Sequence, residues 1–403
     1  MVSSPEYQVA LGRKIAEARR RRGLSQPELA RMIDRSVAWV SQVERGARKV
    51  DRMSVLEMLA EALEIPLPEL AAEAPVVAAV NEEPPGAADL RLVLSGVWSL
   101  RAMLGAHTAP PPAELRAQVN RAWSLTHASR YADLAELLRG LVPALESGVR
   151  AVLDDQRAEL FELLAAAYQA CSAALAKLGQ PEAAWIAADR GMTAAERAGN
   201  PLLVAAGAFR LGLVFLGARY YLQAAEVAGS AADALRPVAE ASTPEAMSMY
   251  GALTLQRAVA AARLGDATAA YEHLDQARPF AARVGPGRNY YNTEFGPANL
   301  GLHEVAVAVE VGDAGRALRV AATVDAADLS AERRARMLLD VARAHAQRRQ
   351  VGEAVAALLQ AEELTPEQVR VHGLVRQLVT DLLAMQNPPD PALSALSARV
   401  GTP

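Results

Sequence analysis

The segment RNYYNTEFGPANLGLHEVAVAVEVGD, residues 288–313, combines polar and aromatic side chains in a chain that is mostly alanine, leucine, valine and arginine. The chain has only 5 phenylalanines and 9 tyrosines, yet three of these rings fall within six positions of the segment, at Tyr290, Tyr291 and Phe295. An asparagine amide can both donate to and accept from a peptide group. The segment therefore has the chemistry to bind an extended peptide or a polar small molecule.

Polar and aromatic residues also occupy two predicted helices upstream of this segment. Tyr250 and Arg257 share one helix face, and Arg210 lies one predicted repeat earlier. Polar side chains at matched positions of successive helices are what a ligand groove needs. The residues predicted to line such a groove are Arg210, Tyr250, Arg257, Asn292, Phe295, Asn299 and His303.

A structural interpretation of the same residues stays open. Asn299 can cap a bent helix start, His303 can satisfy a buried carbonyl group, and the tyrosines can wedge the long turn at 285–293 against the neighbouring helices. For any single residue this structural interpretation is favoured. For the cluster as a whole, a ligand groove is favoured.

No pattern typical of catalysis, cofactor binding or metal binding occurs in the sequence. It contains no GxxxxGK[ST] phosphate loop, no HExxH and no GxSxG motif, and its 6 histidines lack ligand spacing. The single cysteine, Cys171, excludes a multi-thiolate metal site and indicates a reducing, cytoplasmic compartment. No stretch of about 18 uninterrupted apolar residues occurs, so no membrane contact is predicted. We therefore predict a protein that is not an enzyme and needs no cofactor or metal.

The first 52 residues are basic, whereas the rest of the chain is acidic. Residues 1–52 contain 12 Lys and Arg against 6 Asp and Glu, and the remaining residues contain 30 against 40. Periodicity and capping residues predict four short helices in this basic part. Ser25 and Glu28 form a capping box for the second helix, and Ser36 caps the third, VAWVSQVER, before a fourth, MSVLEMLAEAL, closes a small core. In the third helix Val40 and Val43 are predicted to face inward, and the outward-facing residues are Val37, Ala38, Trp39, Ser41 and Gln42.

The stretch LSQPELARMIDRSVAWVSQVERG resembles the phage-repressor-type helix-turn-helix, the XRE family, over about residues 8–66. In that family the third helix enters the major groove of DNA, and the start of the second abuts a phosphate. The resemblance implies an ion pair between Arg19 and Glu44. The resemblance implies that Gln42 reads bases through hydrogen bonds, and that thymine methyl groups and DNA shape supply the remaining sequence preference. The DNA-binding residues implied by the resemblance are Gln26, Ser36, Val37, Ala38, Trp39, Gln42, Arg45, Arg48 and Lys49.

Residues 71–88, AAEAPVVAAVNEEPPGAA, lack helical periodicity and are predicted to link a DNA-binding domain, 1–70, to a helical domain, 89–403. From 113 to 363, short turns and small-residue helices recur, which resembles a degenerate tetratricopeptide array of about six units with a closing helix at 366–386. The predicted fold class is therefore all-α. A DNA-binding domain of four to five helices precedes an α-solenoid of tetratricopeptide-like helical hairpins.

A helix-turn-helix domain joined to a tetratricopeptide array is similar to bacterial regulators that sense signalling peptides in quorum sensing, and to actinobacterial regulators of development. The resemblance implies a homodimeric transcription regulator that binds a palindromic operator in double-stranded DNA, with a peptide or small-molecule effector in the groove. Only 3 of the 42 basic residues are lysines, which fits a GC-rich, actinobacterial genome. The alternative is a DNA-bound scaffold that recruits a protein partner and has no small effector.

Overall fold

The computed structural model describes most of the 403 residues, namely 5–33, 35–46, 50, 53–63, 65, 84, 86–104, 110–152, 154–241, 243–386 and 390–401. All regular structure in these ranges is helical, which confirms the predicted all-α class. The chain divides into two compact units, Met1–Glu82 and Glu83–Thr402, which we refer to as the head and the body.

Within its described residues the head consists of four helices, α1 (Pro5–Arg21), α2 (Gln26–Met32), α3 (Val37–Glu44) and α4 (Met53–Leu63). The predicted capping box is present: the Glu28 N–H donates to Ser25 Oγ at 3.3 Å, and the Ser25 N–H donates to the Glu28 carboxylate at 2.7 Å. The N–H of Trp39 donates to Ser36 Oγ at 3.1 Å, which starts α3 as predicted. These caps fix where α2 and α3 begin.

Inward-facing residues of the four helices form one small core in the head. Its largest members are Leu11, Ile15, Leu29, Ile33, Val40, Val43, Leu56, Leu59 and Leu63. The burial of Val40 and Val43 confirms their predicted orientation. Trp39, in contrast, was predicted to face outward, but its ring is partly buried against this core. A large indole ring can cover the edge of a core while keeping one side in solvent.

The body begins with two short helices, α5 (Ala87–Val93) and α6 (Val97–Leu104). Gly86 has a left-handed φ of 80°, and Ala87 and Leu90 are buried in the core of the body. The predicted linker at 71–88 is therefore wrong at its end, because residues 87 and 88 belong to α5. Residues 71–83 lie outside the described part of the chain.

Six helical hairpins follow α6 between residues 112 and 364, as the sequence predicted. They are α7 (Pro112–His127) with α8 (Tyr131–Ala151), α9 (Asp154–Lys177) with α10 (Pro181–Arg197), α11 (Pro201–Gly217) with α12 (Tyr221–Ala241), α13 (Pro244–Arg263) with α14 (Ala267–Val284), α15 (Pro297–Glu310) with α16 (Ala314–Ala321), and α17 (Ala331–Gln347) with α18 (Val351–Leu364). The first helix of each hairpin packs against the first helix of the next. The six first helices therefore form one continuous inner layer.

The array ends in α19 (Pro366–Val371), α20 (Gly373–Met385) and α21 (Pro391–Val400). The sequence predicted a single closing helix at 366–386, and that prediction is wrong. His372 interrupts the helix with an extended backbone, φ −73° and ψ 117°, and its imidazole accepts the N–H of Leu374 at 3.2 Å. An extended residue cannot continue the i to i−4 hydrogen bonds of an α-helix.

The first and last parts of the body are in contact. Ser129 Oγ donates to the side-chain oxygen of Gln368 at 3.2 Å, and the N–H of Tyr131 donates to the Glu367 carboxylate at 3.0 Å. Helix α7 also packs against α17. The solenoid is therefore tightly coiled, and its inner layer of first helices encloses an interior.

Candidate DNA-binding surface and effector-binding region

The α3 residues that the sequence predicted to face outward for DNA contact are exposed to different degrees. Val37 is exposed, Gln42 is half-buried, and Arg45 is exposed at the end of the helix. The Nε of Arg45 donates to the carbonyl oxygen of Ser41 at 3.2 Å, which holds the stem of that side chain along α3. The side chain of Ala38 and the whole of Arg48 and Lys49 lie outside the described residues, so their DNA contacts stay predictions.

A buried ion pair fixes α3 against the first two helices. The Arg19 guanidinium donates to both carboxylate oxygens of Glu44, at 2.6 and 3.0 Å, and to the carbonyl oxygen of Leu24 at 2.7 Å. This confirms the predicted pair. Gln26, predicted to contact a phosphate, donates from Nε2 to the same carboxylate at 2.8 Å. Burial opposes ionisation of Glu44, but the hydrogen bonds from Arg19 and Gln26 outweigh it and hold the pKa of this carboxyl below its usual value.

Arg210 of α11 anchors the turn between α14 and α15 inside the body. Its Nη2 donates to the carbonyl oxygens of Tyr291 and Asn292 at 3.0 and 2.8 Å. Its guanidinium carbon lies 4.6 Å from the ring centre of Trp123 and 4.9 Å from that of Phe209. Burial lowers the pKa of Arg210 to about 9, so the group stays charged at neutral pH. Two predicted effector residues, Arg210 and Asn292, are thus bonded to each other.

The same turn has a strained backbone. Tyr291, Asn292 and Glu294 adopt left-handed φ values of 50°, 55° and 53°. Such conformations cost on the order of 1 kcal/mol or more for each residue that is not glycine, so they persist only where other contacts hold them. The Glu294 carboxylate accepts from the Ser330 N–H and Oγ at 2.8 and 2.9 Å, and the Glu294 N–H donates to Asn289 Oδ1 at 2.9 Å. These bonds join the turn to the start of α17.

The rings of Phe295 and Tyr250 pack in the core of the body. Phe295 is completely buried against Gly251 of α13, where an added Cβ would lie 2.0 Å from its Cζ atom. Tyr250 is 4% exposed, and its ring centre is 4.7 Å from that of Phe280. Both were predicted to line a groove, but the structure gives both rings a packing role, because each loses most of its apolar area to neighbouring helices.

Asn299 and His303 lie one turn apart on α15 and make hydrogen bonds within the body. Asn299 Nδ2 donates to the carbonyl oxygen of Thr293 at 3.3 Å, and His303 Nδ1 donates to the carbonyl oxygen of Asn299 at 2.8 Å. The bond of His303 is the one that the structural interpretation expects. Asn299 does not cap the helix, because α15 begins after Gly296 without a side-chain cap. Arg257 is not brought to this group, because its guanidinium pairs with Asp233 of α12 at 3.2 Å. The predicted effector contacts of these residues remain predictions.

A cavity of about 620 Å³ lies between the turn at 285–289, the start of α15, and the end of α16 with the loop at 322–330 that follows it. Of the predicted effector residues, only Phe295 and Asn299 border it. Its polar and charged lining residues are His127, Arg278, Arg288, Asn289, Glu294, Asn299, Glu304, Thr323, Asp325, Asp328 and Ser330. Its size lies in the range of about 300–1,000 Å³ that is typical of small-molecule sites.

Sequence reasoning missed the buried charges of the interior. Lys177 pairs with Glu332, and Arg333 lies 3.7 Å from both Glu332 and Glu294. Burial opposes the charge of Glu332, but Lys177 and Arg333 outweigh it and hold the pKa of this carboxyl well below its usual range. One signal was present in the sequence: Lys177 is the only lysine after residue 49, and its helix is rich in alanine and leucine.

We expect the body to lose stability as the pH falls from 7 to 5. Burial lowers the pKa of His303 to about 3 and that of His372 to about 4, and it also lowers the pKa of His127. The unfolded chain therefore binds protons in this window that the folded chain does not. Each histidine lowers the free energy of unfolding by up to about 1.4 kcal/mol per pH unit as the pH falls. Thermal unfolding of the full chain followed by circular dichroism measures the effect. The unfolding temperature of the variant H303Q should depend less on pH than that of the wild type. An identical pH dependence in the two proteins would show that His303 is not a source of the effect.

Comparison with known proteins identifies the head. Residues 10–73 match the family model described as a helix-turn-helix domain. The head is a helix-turn-helix domain. Among solved structures, PlcR of Bacillus thuringiensis, crystallised with the peptide PapR7 and DNA, is 15% identical over 68% of this chain and 95% of that chain, with a TM-score of 0.30. No curated protein matches the chain.

In the helix-turn-helix domain, the arrangement of α2 and α3 suits contact with a duplex. The helix that follows the turn lies in the major groove in proteins of this kind. In the part of the chain that the structure describes, no helix is long and apolar enough to cross a bilayer. In those same residues, no group of three or more His, Cys, Asp or Glu side chains is placed to hold a metal ion.

Proposed function

We propose that this protein is a sequence-specific DNA-binding transcription regulator, and that its helical-repeat body binds an effector that controls operator binding. The observation that carries the proposal is the helix-turn-helix domain at residues 10–73. Its α3 is capped by Ser36 and held by the buried pair of Arg19 and Glu44. A rigidly held, outward-facing helix is what base reading in the major groove requires.

In this proposal each group on α3 and around it has a separate role. Gln42 reads a base edge by hydrogen bonds, while Val37 and Ala38 contact thymine methyl groups. Arg45 contributes charge to the phosphate backbone. The remaining proposed DNA contacts are Gln26, Ser36, Trp39, Arg48 and Lys49. Two copies of the chain would place two heads on a palindromic operator, which matches the two-fold symmetry of a homodimer.

Two features of the body support effector control. The cavity beside the turn has the volume of a small-molecule site. The turn that forms one wall is strained and is hydrogen-bonded to α11 through Arg210 and to the start of α17 through Glu294. A signalling peptide or small molecule that moves this turn would change the packing of the first helices, and thereby the geometry of the array.

Two variants of the full chain test the DNA-binding assignment. We expect Gln42→Ala to lower affinity for the preferred operator by about 1–3 kcal/mol and to relax base preference at one position. Arg45→Ala should weaken binding to every duplex and lower the salt slope by about one unit, because a phosphate contact carries no sequence information. Binding to a randomised duplex pool at two salt concentrations distinguishes a base-reading residue from a phosphate contact. Equal losses on all sequences for both variants would show that Gln42 is not a reader.

A second candidate function is a DNA-bound scaffold that recruits a protein partner. It is favoured by large apolar side chains on the outer helices, where Trp185 and Ile186 of α10 and Leu222 of α12 are exposed. Exposed apolar residues close together often mark protein interfaces. Co-purification from cell extract, compared with a thermal-shift screen of peptides and metabolites, distinguishes a scaffold from an effector-controlled regulator.

A further inference from the structure

The cavity beside the turn has apolar walls and a charged rim. Apolar side chains from three segments enclose it: Pro286 on the turn, Pro297 and Leu300 on α15, and Val324 and Leu329 on the following loop. Most small-molecule sites combine such walls with a few polar groups that fix the orientation of the ligand. The chemistry of the polar groups therefore indicates which ligand the cavity suits.

Some of the charges that line the cavity are already neutralised by protein partners. Glu304 accepts hydrogen bonds from Arg278 at 3.4 Å and from Arg316 at 2.8 Å. Glu294 is bonded to the Ser330 N–H and Oγ and lies 3.7 Å from Arg333. These side chains form the walls and are not left for a ligand.

Other charged groups of the lining have no ion partner. Asp325 accepts only the N–H of Ala327, at 3.1 Å, and neither it nor Asp328 makes an ion pair within the described residues. Arg288 is exposed and also lacks an ion pair in that part of the chain. The unpaired groups are thus two carboxylates and one guanidinium, so the rim carries a net negative charge.

A buried acceptor at the cavity also lacks a donor. Asn299 is 2% exposed and borders the cavity, and its Oδ1 accepts no hydrogen bond within the described residues. A buried carbonyl oxygen without a donor is unfavourable, so an N–H group of a ligand that reached it would stabilise this wall. The unpaired carboxylates and this acceptor favour the same kind of ligand group.

We propose that this cavity binds a small organic cation with a primary amino group and an apolar portion. The ammonium group pairs with Asp325 and Asp328, and the apolar portion contacts the proline, valine and leucine walls. Arg288 donates to a carboxylate where the ligand carries one. This inference rests on the proposed function, because it names the site and chemical class of the effector. It differs from the groove predicted from the sequence, since only Phe295 and Asn299 are common to both.

The walls of the cavity connect it to the rest of the array. The loop at 322–330 approaches α15 closely at Gly301, where an added Cβ would lie 2.7 Å from Val324 Cγ2. The opposite wall is the turn that Arg210 holds to α11. A ligand between loop and turn contacts both, so its binding changes how the turn is held against the inner layer of helices.

Titration of the full chain with primary amines, in the absence of DNA, tests the proposal. The probes are tryptamine and phenethylamine, each compared with its N-acetyl derivative, and cadaverine, compared with N,N′-diacetylcadaverine. Acetylation of every amino group keeps the apolar portion but removes the charge. We expect at least one amine to bind at least tenfold more tightly than its acetylated form in isothermal titration calorimetry. If no amine binds better than its derivative, the proposal is wrong.

Variants of the lining residues test whether the amine binds in the cavity. Asp325→Asn with Asp328→Asn should weaken amine binding at least tenfold, whereas Asp189→Asn, an exposed carboxylate on α10, should leave it unchanged. Ala298→Phe should block the cavity without removing a charge, and its unfolding temperature shows whether the body still folds. Unaltered amine binding in the double Asp variant would overturn the site.

The result of the amine titration is independent of the result of the DNA-binding experiment. Amine binding is measured without DNA, so its failure leaves the operator experiment with Gln42→Ala intact. When the amine is added to the complex of the full chain with its operator, we expect at least a threefold change in operator affinity. Amine binding without any such change would overturn the assignment of the cavity as the effector site.

Discussion

Replacing Gly251 by alanine is expected to destabilise the body by about 3 kcal/mol or more, at the upper end of what overpacking a core costs. The new Cβ would lie 2.0 Å from Cζ and 2.4 Å from Cε1 and Cε2 of Phe295. The ring of Phe295 is completely buried, and the turn before it is held by Arg210 and Ser330, so neither can move away cheaply. Denaturant unfolding of the full chain, followed by circular dichroism, measures the loss.

A matched glycine in the same body provides the control. Gly140 lies inside α8 with no atom within 4 Å of an added Cβ. Gly140→Ala should therefore be neutral or stabilising by up to about 1 kcal/mol, because alanine has the higher helix propensity. Adding Phe295→Leu to Gly251→Ala should recover part of the loss, since the two side chains are in direct contact. A Gly251→Ala variant as stable as the wild type would mean that the turn does not pack as described.

Replacing Arg19 by alanine should abolish operator binding by the full chain while leaving the body folded. The guanidinium donates twice to Glu44, and both side chains are largely buried. Removing one partner of a buried ion pair costs about 3–5 kcal/mol, because the other charge stays buried without a partner. A loss of this size is a large fraction of the stability of a small domain, which is about 5–15 kcal/mol. Hydrogen exchange of head amides, together with binding to the operator, measures it.

Two further variants distinguish the loss of the ion pair between Arg19 and Glu44 from the loss of a positive charge alone. Arg13→Ala removes an exposed positive charge from the same helix and should change stability little, within about 0.5 kcal/mol. Arg19→Lys should fall between the wild type and Arg19→Ala, because an ammonium group cannot make the two-pronged contact with a carboxylate. Operator affinity in Arg19→Ala equal to that of the wild type would show that the pair does not hold α3 in place.

The sequence by itself determined the helices of the head and most of its packing. The capping box of Ser25 and Glu28, the cap at Ser36 and the inward positions of Val40 and Val43 are all present as predicted. These features join residues within a few positions of one another, so the identity and spacing of the side chains suffice to define them. The pair of Arg19 and Glu44 spans 25 residues and was found only through the family resemblance.

The sequence also determined the number of hairpins in the body, but not where the array closes. Recurrent turns and small residues predicted six units, because each unit repeats the same local pattern. The break at His372 was missed, since an interruption by a residue other than glycine or proline leaves little trace in helical periodicity. The contact of Tyr131 with Glu367 joins residues 236 positions apart and has no local signal.

Only the tertiary structure decided what the polar and aromatic segment at 288–313 does within the fold. Arg210 and the carbonyl group of Tyr291 are 81 positions apart, and Ser330 is 36 positions from Glu294. Sequence reasoning left open whether Asn299 and His303 face a ligand or neighbouring backbone groups, and the structure shows them bonded to backbone carbonyl oxygens. The cavity is likewise formed by the turn and the loop that connect the fifth hairpin to its two neighbours. Periodicity defines which face of a helix is buried, but only the packing of all the helices defines which distant side chains meet there.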